Sequence, residues 1–294
     1  MHNSYVFISE LKIFPYFCAT IFFMKFRFYI VLLILVLVSS CGEYEKLLKS
    51  TDFELKKAKA KEYYDKGEYV KTTELLGQIL ARYRATEEAE ELNWMNCQSY
   101  YGMKDYFMAS SYFKQFIDQF PFGVHSEEAN FMAPMCDYKI ALRPELDQEN
   151  TRNAIEGFQI FMTRFPASPK VEESKIRVKE LEEVLVEKSY LSARLYYDMD
   201  QYKAAVVALN NSLKEYANTK YREEMMFLKL SSMYLYAEKS QPAKQKERYQ
   251  AALDDYYSFM EEFPKSQYAK DVNNIFQKTN KYLKPGKPDS GSSK

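Results

Sequence analysis

Histidine is nearly missing: His2 and His125 are the only two in 294 residues. That removes the side chain on which most catalytic triads, proton shuttles and zinc sites depend. Glycine is scarce too, with 8 residues against a usual share of about 7%. No dinucleotide fingerprint, Walker loop or nucleophile elbow occurs. Charge of one sign is also lacking, since 41 basic residues balance 41 acidic ones. Nucleic-acid binders normally carry a basic excess, so no nucleic-acid partner is expected. What is plentiful is aromatic: 26 Tyr and 21 Phe against the single Trp94. This composition points to a helical protein that binds rather than catalyses. No catalytic residue, cofactor or metal site is expected.

Long apolar runs are lacking: the uninterrupted stretch Tyr29 to Val38 is short. A bilayer span needs about 20 such residues. Lys25 and Arg27 precede the run, and Ser39-Ser40-Cys41 follow it. A basic start, a brief apolar core and small residues before a cut make a secretory signal. Val38-Ser39-Ser40-Cys41 resembles the lipobox of bacterial lipoproteins, in which the cysteine becomes the acylated N-terminus. Residues 24–40 are read as the lipoprotein signal peptide and Cys41 as the lipidation site. Residues 1–23 fit this address poorly and are read as a gene-model extension ahead of Met24. Removing residues 1–40 discards Lys12, Lys25, Arg27 and Glu10, leaving 38 basic and 40 acidic residues. No basic patch assists anchoring, and a diacylated cysteine needs none. Cys97 and Cys136 show no metal-binding spacing and are expected as buried free thiols, although an exported location permits a disulfide.

The rest of the chain repeats. An aromatic closes each copy: Tyr83, Phe120, Phe165, Tyr216 and Phe263, three of them followed by proline. Eleven residues earlier stand Thr72, Ala109, Ala154, Ala205 and Ala252; seven earlier stand Leu76, Phe113, Phe158, Leu209 and Tyr256. Fourteen earlier stand Tyr69, Tyr106, Thr151, Tyr202 and Tyr249. These offsets follow the 3.6-residue period of one helix face. A second helix precedes each, across turns such as Lys66-Gly67-Glu68, and Ser168, Thr219 and Ser266 stand where N-caps belong. Pro169 is placed at a first helical position.

The expected fold is all-α, an α-solenoid of about five tetratricopeptide-like helical hairpins. The anchors are 37, 45, 51 and 47 residues apart, against 34 for the standard repeat. Insertions around Arg143-Pro144-Glu145 and Gln241-Pro242 are expected to supply part of the excess. The stretch Val171–Tyr197 has no glycine or proline and is read as one long helix with its apolar stripe on Val178, Leu181, Leu185 and Leu195. The expected organisation is an N-terminal linker (41–55), repeats 1–3 (56–168), and a long bridging helix with repeats 4–5 (169–283). A disordered tail (284–294) follows.

Four carboxylate doublets invite an acid–base reading: Glu87-Glu88, Glu127-Glu128, Glu172-Glu173 and Glu223-Glu224. They recur near helix starts, where acidic residues complement the helix dipole, and that assignment is preferred. Most tyrosines are assigned to the repeat core. Tyr63, Tyr100 and Tyr101 are the candidates for lining a peptide groove, since tyrosine joins a rigid apolar body to a hydrogen-bonding tip.

The junction Phe263-Pro264-Lys265-Ser266-Gln267-Tyr268-Ala269 reads like the Phe-Pro-x-Ser-x-Tyr-Ala segments of one lipoprotein family, with looser copies at Phe120 and Phe165. With Cys41 ahead of the repeats, residues 41–280 resemble the BamD family of outer-membrane assembly lipoproteins. The segment from Cys41 to Ser50 looks like the version from Bacteroidetes-type bacteria. The resemblance implies five tetratricopeptide repeats anchored by lipid on the periplasmic face of the outer membrane. It implies binding to the POTRA domains of a BamA-like barrel protein and to unfolded outer-membrane proteins. Individual interface residues do not transfer, because the insertions disturb the register. The alternative is a tetratricopeptide adaptor for cell-wall or division machinery, which would use the same fold. Capture of glycans is disfavoured by the single tryptophan.

Overall fold

The computed structural model describes residues 42–284; the lipidation and signal-peptide assignments at Cys41 and 24–40, and the tail from 285, lie outside the described residues. Among the described residues there is no strand and there are twelve helices. They are α1 (42–49), α2 (Phe53–Asp65), α3 (Tyr69–Tyr83), α4 (Ala89–Gly102), α5 (Tyr106–Gln119) and α6 (Ser126–Ile140). Then follow α7 (Glu149–Arg164), α8 (Val171–Asp198), α9 (Tyr202–Glu215), α10 (Arg222–Glu238), α11 (Pro242–Glu262) and α12 (Ala269–Leu283). The fold is all-α and built of tetratricopeptide-like hairpins. The chain forms two compact units that divide between Met103 and Lys104.

In the first unit α2 packs on α3 and α3 on α4. Residues 42–49, read from sequence as linker, are helical and seat Leu47 in this unit's core with Ala60, Leu75, Leu76 and Ile79. In the second unit each helix from α5 to α12 packs on the next, and α6, α8, α10 and α12 also touch in series. That combination marks hairpins stacked on hairpins.

The repeat positions explain the packing. Thr72, Ala109, Ala154, Ala205 and Ala252 are all buried, as are Leu76, Phe113, Phe158 and Leu209. Small residues let a neighbouring helix approach while aromatics fill the space beside them, each full burial contributing about 1.5–3 kcal/mol. A further layer lies four residues before the closing aromatic: Ile79, Phe116, Phe161 and Phe259 are buried, with Ser212 in the fourth copy. Phe120, Phe165, Tyr216 and Phe263 donate their backbone N–H to residues 116, 161, 212 and 259 at 2.8–2.9 Å. The rings of Phe120, Phe165 and Phe263 lean back on the same partners, with centroids 5.0 Å apart for Phe116–Phe120 and 5.6 Å for Phe161–Phe165 and Phe259–Phe263. From each closing aromatic to the next helix the distance is constant: 83 to 89, 120 to 126, 165 to 171, 216 to 222 and 263 to 269.

Inside the hairpins the turn is residues 66–68, 199–201 and 239–241, but 141–148 between α6 and α7; residues 103–105 link α4 to α5. Gly67, Lys104 and Asp200 take positive φ of 74°, 61° and 59°. This left-handed step closes a helix C-terminus with backbone bonds such as Glu68 N–H to Tyr63 C=O at 2.8 Å and Gln201 N–H to Tyr196 C=O at 2.9 Å. Gln148 braces the long turn, its side-chain amide donating to the carbonyls of Arg143 and Leu146 at 2.8 and 3.0 Å.

Three local expectations are corrected. Ser168, Thr219 and Ser266 are not the N-caps, which are Lys170, Tyr221 and Tyr268. Their hydroxyls accept from the N–H two residues on, at 2.9–3.3 Å, and so bend the chain one turn earlier. Pro169 therefore lies in that turn, ahead of the helix. Pro242, expected in an inserted loop, is the first residue of α11, whose 21 residues carry the extra length. Leu195 is 56% exposed; the buried face of α8 runs through Ser174, Val178 and Leu181 and resumes at Tyr190 and Ala193. The shift arises because α8 packs on α7 and on α9 with different faces over its 28 residues.

Candidate functional site

Tyr63, Tyr100 and Tyr101 all belong to the first unit and are half-buried. Tyr63 ends on the core: its ring meets Tyr44 edge-on at 5.7 Å, with the Lys71 ammonium 4.9 Å from its centroid. Tyr100 and Tyr101 lie in the last turn of α4. The open surface nearby is a cleft of about 430 Å³ formed by Gly67, Tyr69, Val70, Lys71, Gly102 and Met103. It joins the α2–α3 turn to the end of α4. Tyr69 is its aromatic wall, and none of the three tyrosines chosen from sequence lines it. A Cβ on Gly102 would meet the Tyr69 ring at 2.3 Å, so this wall depends on glycine at that position.

In the second unit a cleft of about 220 Å³ lies between α9, α10 and α11. Lys229 reaches Asp255 at 2.9 Å on its floor, and Lys214 and Arg222 stand at its wall. Arg222 forms a two-pronged ion pair with Glu262. Burial pushes the Asp255 carboxyl up against the opposing pull of Lys229, and its Oδ2 is buried without a hydrogen-bond partner. The equivalent positions in the other repeats are Leu75, Tyr112, Gly157 and Ala208. That single charged substitution in a fixed repeat position was the signal sequence reading missed. Asp137 is a second buried acid, held by Ser110 at 2.6 Å and Lys114 at 2.8 Å.

A third surface runs between α6 and α8, about 340 Å³, lined by Tyr138, Leu142, Leu181 and Val184. At its edge Tyr138 donates to Glu180 at 2.8 Å while Arg177 stacks on the Tyr138 ring at 5.1 Å.

The carboxylate doublets fall at helix starts. Glu127-Glu128, Glu172-Glu173 and Glu223-Glu224 are in first turns, and Glu88 is the N-cap of α4. Each doublet meets a cation: Glu88 with Lys57, Glu128 with Lys170, Glu172 and Glu173 with Lys175 and Arg177, Glu224 with Arg194. Their geometry is that of capping and packing groups. Cys97 and Cys136 are buried, and burial pushes the Cys136 thiol up to about 12. Among the described residues no cluster of His, Cys, Asp or Glu is placed to hold a metal.

Of the apolar side chains that face solvent, two stand out. Phe122 is 96% and Val124 91% exposed, in the junction after Phe120-Pro121. The same exposed positions hold Ala85 and Glu87, Ala167 and Pro169, Asn218 and Lys220, and Lys265 and Gln267 in the other repeats. Arg164 fixes the loop by donating to the Pro121 carbonyl at 2.7 Å.

Comparison with solved structures finds similarity to the TPR2AB-domain–pHSP90 complex of yeast Sti1, at 13% identity, covering 78% of this chain and 98% of that one, with a TM-score of 0.35. The TPR-like repeats of a protein described as a kinesin light chain from Podospora anserina are similar at 13% identity, covering 79% and 97%, with a TM-score of 0.30. No curated protein matches the sequence. A family model, YfiO, described as outer membrane lipoprotein, matches residues 55–248, which is more than half of the chain and runs from α2 into α11. The chain belongs to the YfiO family of outer membrane lipoproteins.

Proposed function

We propose that this protein is a lipid-anchored, non-catalytic scaffold of the machinery that inserts β-barrels into the outer membrane, working on the periplasmic face. The observation that carries this reading is the family match across residues 55–248, on a fold of tetratricopeptide-like hairpins. Cys41 is the acylated residue. The partners are the POTRA domains of a BamA-like barrel protein and unfolded outer-membrane proteins, as the Bacteroidetes-type resemblance of residues 41–50 also suggests. No acidic export tag follows Cys41, which favours the inward-facing leaflet. Anchoring raises the effective concentration of the repeats beside membrane-bound partners without any new contact. The exposed pair Phe122 and Val124 suits docking, because a small number of well-packed apolar anchors carries most interface energy.

The test is affinity capture of the tagged lipoprotein from detergent-solubilised envelopes, with mass spectrometry of what is retained. Near-stoichiometric recovery of a POTRA-bearing barrel supports the reading. Recovery of cell-wall or division proteins without that barrel overturns it and leaves the adaptor alternative.

A further inference from the structure

Gly42, one peptide bond from Cys41, already belongs to α1, and α1 is clamped along its length. Leu47 is buried in the first unit's core. Tyr44 donates its hydroxyl to Glu74 at 2.7 Å and meets Tyr63 edge-on, and burial holds its phenol well above the usual range. At the other end Lys56, only 4% exposed, donates its ammonium to the Leu48 carbonyl at 2.9 Å and to the Gln78 side chain. A cation at the last carbonyls of a helix also complements its dipole. Tyr44 beside Glu74 and Leu48 beside Gln78 set α1 parallel to α3. Gly42 therefore comes level with the start of α3, next to the α2–α3 turn and to Val70, which is 67% exposed.

We propose that α1 is a strut rather than a tether, and that it holds the end of the first unit carrying the α2–α3 turn, Val70 and Lys71 against the lipid headgroups. This rests on Cys41 being the acylated residue. The argument is one of length. Consecutive Cα atoms are about 3.8 Å apart, so no free chain separates the acyl group from a packed helix. A flexible segment of about ten residues would instead allow a separation of about 17 Å. The face offers Val70 as an exposed apolar side chain, with Tyr44, Tyr63 and Lys71 behind it. Tyrosine and lysine join an apolar stem to a polar tip and suit the membrane interface. Lys71 is paired with Glu68 and Lys66 with Glu62, so the contact is not electrostatic and should not weaken with salt or with fewer anionic lipids.

The experiment uses the full acylated chain in vesicles of phosphatidylethanolamine and phosphatidylglycerol. An environment-sensitive dye is attached at Val70→Cys or at Glu87→Cys, which lies beyond the far end of α3, about 20 Å away at 1.5 Å per residue. Cys97 and Cys136 are buried, so the unsubstituted chain is the control for background labelling. The dye at residue 70 is expected to shift to the blue and to be quenched by headgroup-borne spin label, while that at residue 87 stays aqueous. Inserting about twelve Gly and Ser residues between Cys41 and Gly42, a reach of about 20 Å, should abolish the quenching without releasing the protein. Aqueous emission from residue 70 in vesicle-bound wild type, or quenching that survives the insertion, overturns the strut and leaves the anchor standing. Retention on vesicles after Cys41→Ser overturns the anchor itself, and the strut with it.

Discussion

Gly157 stands in the middle of α7, where alanine would ordinarily be preferred by about 1 kcal/mol. Here the missing Cβ would lie 2.7 Å from the Cβ of Pro134 and 3.3 Å from its Cγ. Pro134 is buried inside α6, so relief requires the two helices to separate. Forcing a methyl group into such a contact costs about 1–3 kcal/mol. The sum for Gly157→Ala is thus a loss of up to about 2 kcal/mol, once the gain in helix propensity is set against overpacking. Gly77, mid-helix in α3, has nothing within 4 Å of its Cβ position, so Gly77→Ala should gain about 0.5–1 kcal/mol. Urea midpoints and thermal melts of the mature chain, followed by circular dichroism, compare the two. Each kcal/mol is worth about 2–4 °C in a chain of this size. The nearest atom is a Cβ, so Pro134→Ala should not rescue Gly157→Ala. If Gly157→Ala raises the midpoint as Gly77→Ala does, the close approach of α6 and α7 is not real.

Phe161→Ala should lower stability by about 3–5 kcal/mol, whereas Phe122→Ser should move it by no more than about 0.5 kcal/mol yet reduce capture of the barrel proposed as partner; equal losses of stability would contradict the burial pattern. Because burial raises the Asp255 carboxyl in the folded chain, its contribution is greatest below the unfolded pKa and is lost as pH rises through the folded value. Wild type should therefore gain on Asp255→Asn as pH falls from about 7 towards 4, and parallel urea midpoints across that range would refute the assignment. Both mature-chain thiols, Cys97 and Cys136, should resist a thiol reagent in buffer and react fully in denaturant; rapid native reaction would show that the α4 and α6 cores open readily. Lys56→Met should speed hydrogen exchange in residues 42–49 while leaving α5–α12 unchanged, as read by mass spectrometry.

The repeating hairpins were legible because the burial period and the helix period coincide: Ala109, Phe113 and Phe120 announce α5 without any knowledge of neighbours. The glycine- and proline-free stretch similarly announced α8. The layer at Phe116 and Phe161 was overlooked because its fourth member is Ser212, which satisfies its hydroxyl on Ser189 at 2.7 Å and so breaks the apolar pattern. Helix α1 was illegible for a different reason. Eight residues, half of them charged, have little helical stability of their own, and only the pocket formed by Tyr63, Lys71 and Ile79 makes them fold. Ser168, Thr219 and Ser266 misled because a hydroxyl two residues before a helix cap and one at the cap itself look alike until the turn is seen. Of the three tyrosines chosen for a groove, Tyr63 packs beneath α1, against Tyr44, because a side chain's exposure depends on which helix covers it.

The constant six-residue step from each closing aromatic to the following helix has a bearing on how this chain can change over generations. A residue gained or lost there would shift the start of the following helix against the aromatic that closes the one before it, and so disturb how its apolar stripe meets the preceding hairpin. The turns within hairpins carry no such obligation, and residues 141–148 already hold more than twice the length of their counterparts. Within this one chain, the repeats therefore differ in the length of their inner turns and helices, while the spacing between hairpins is the same throughout.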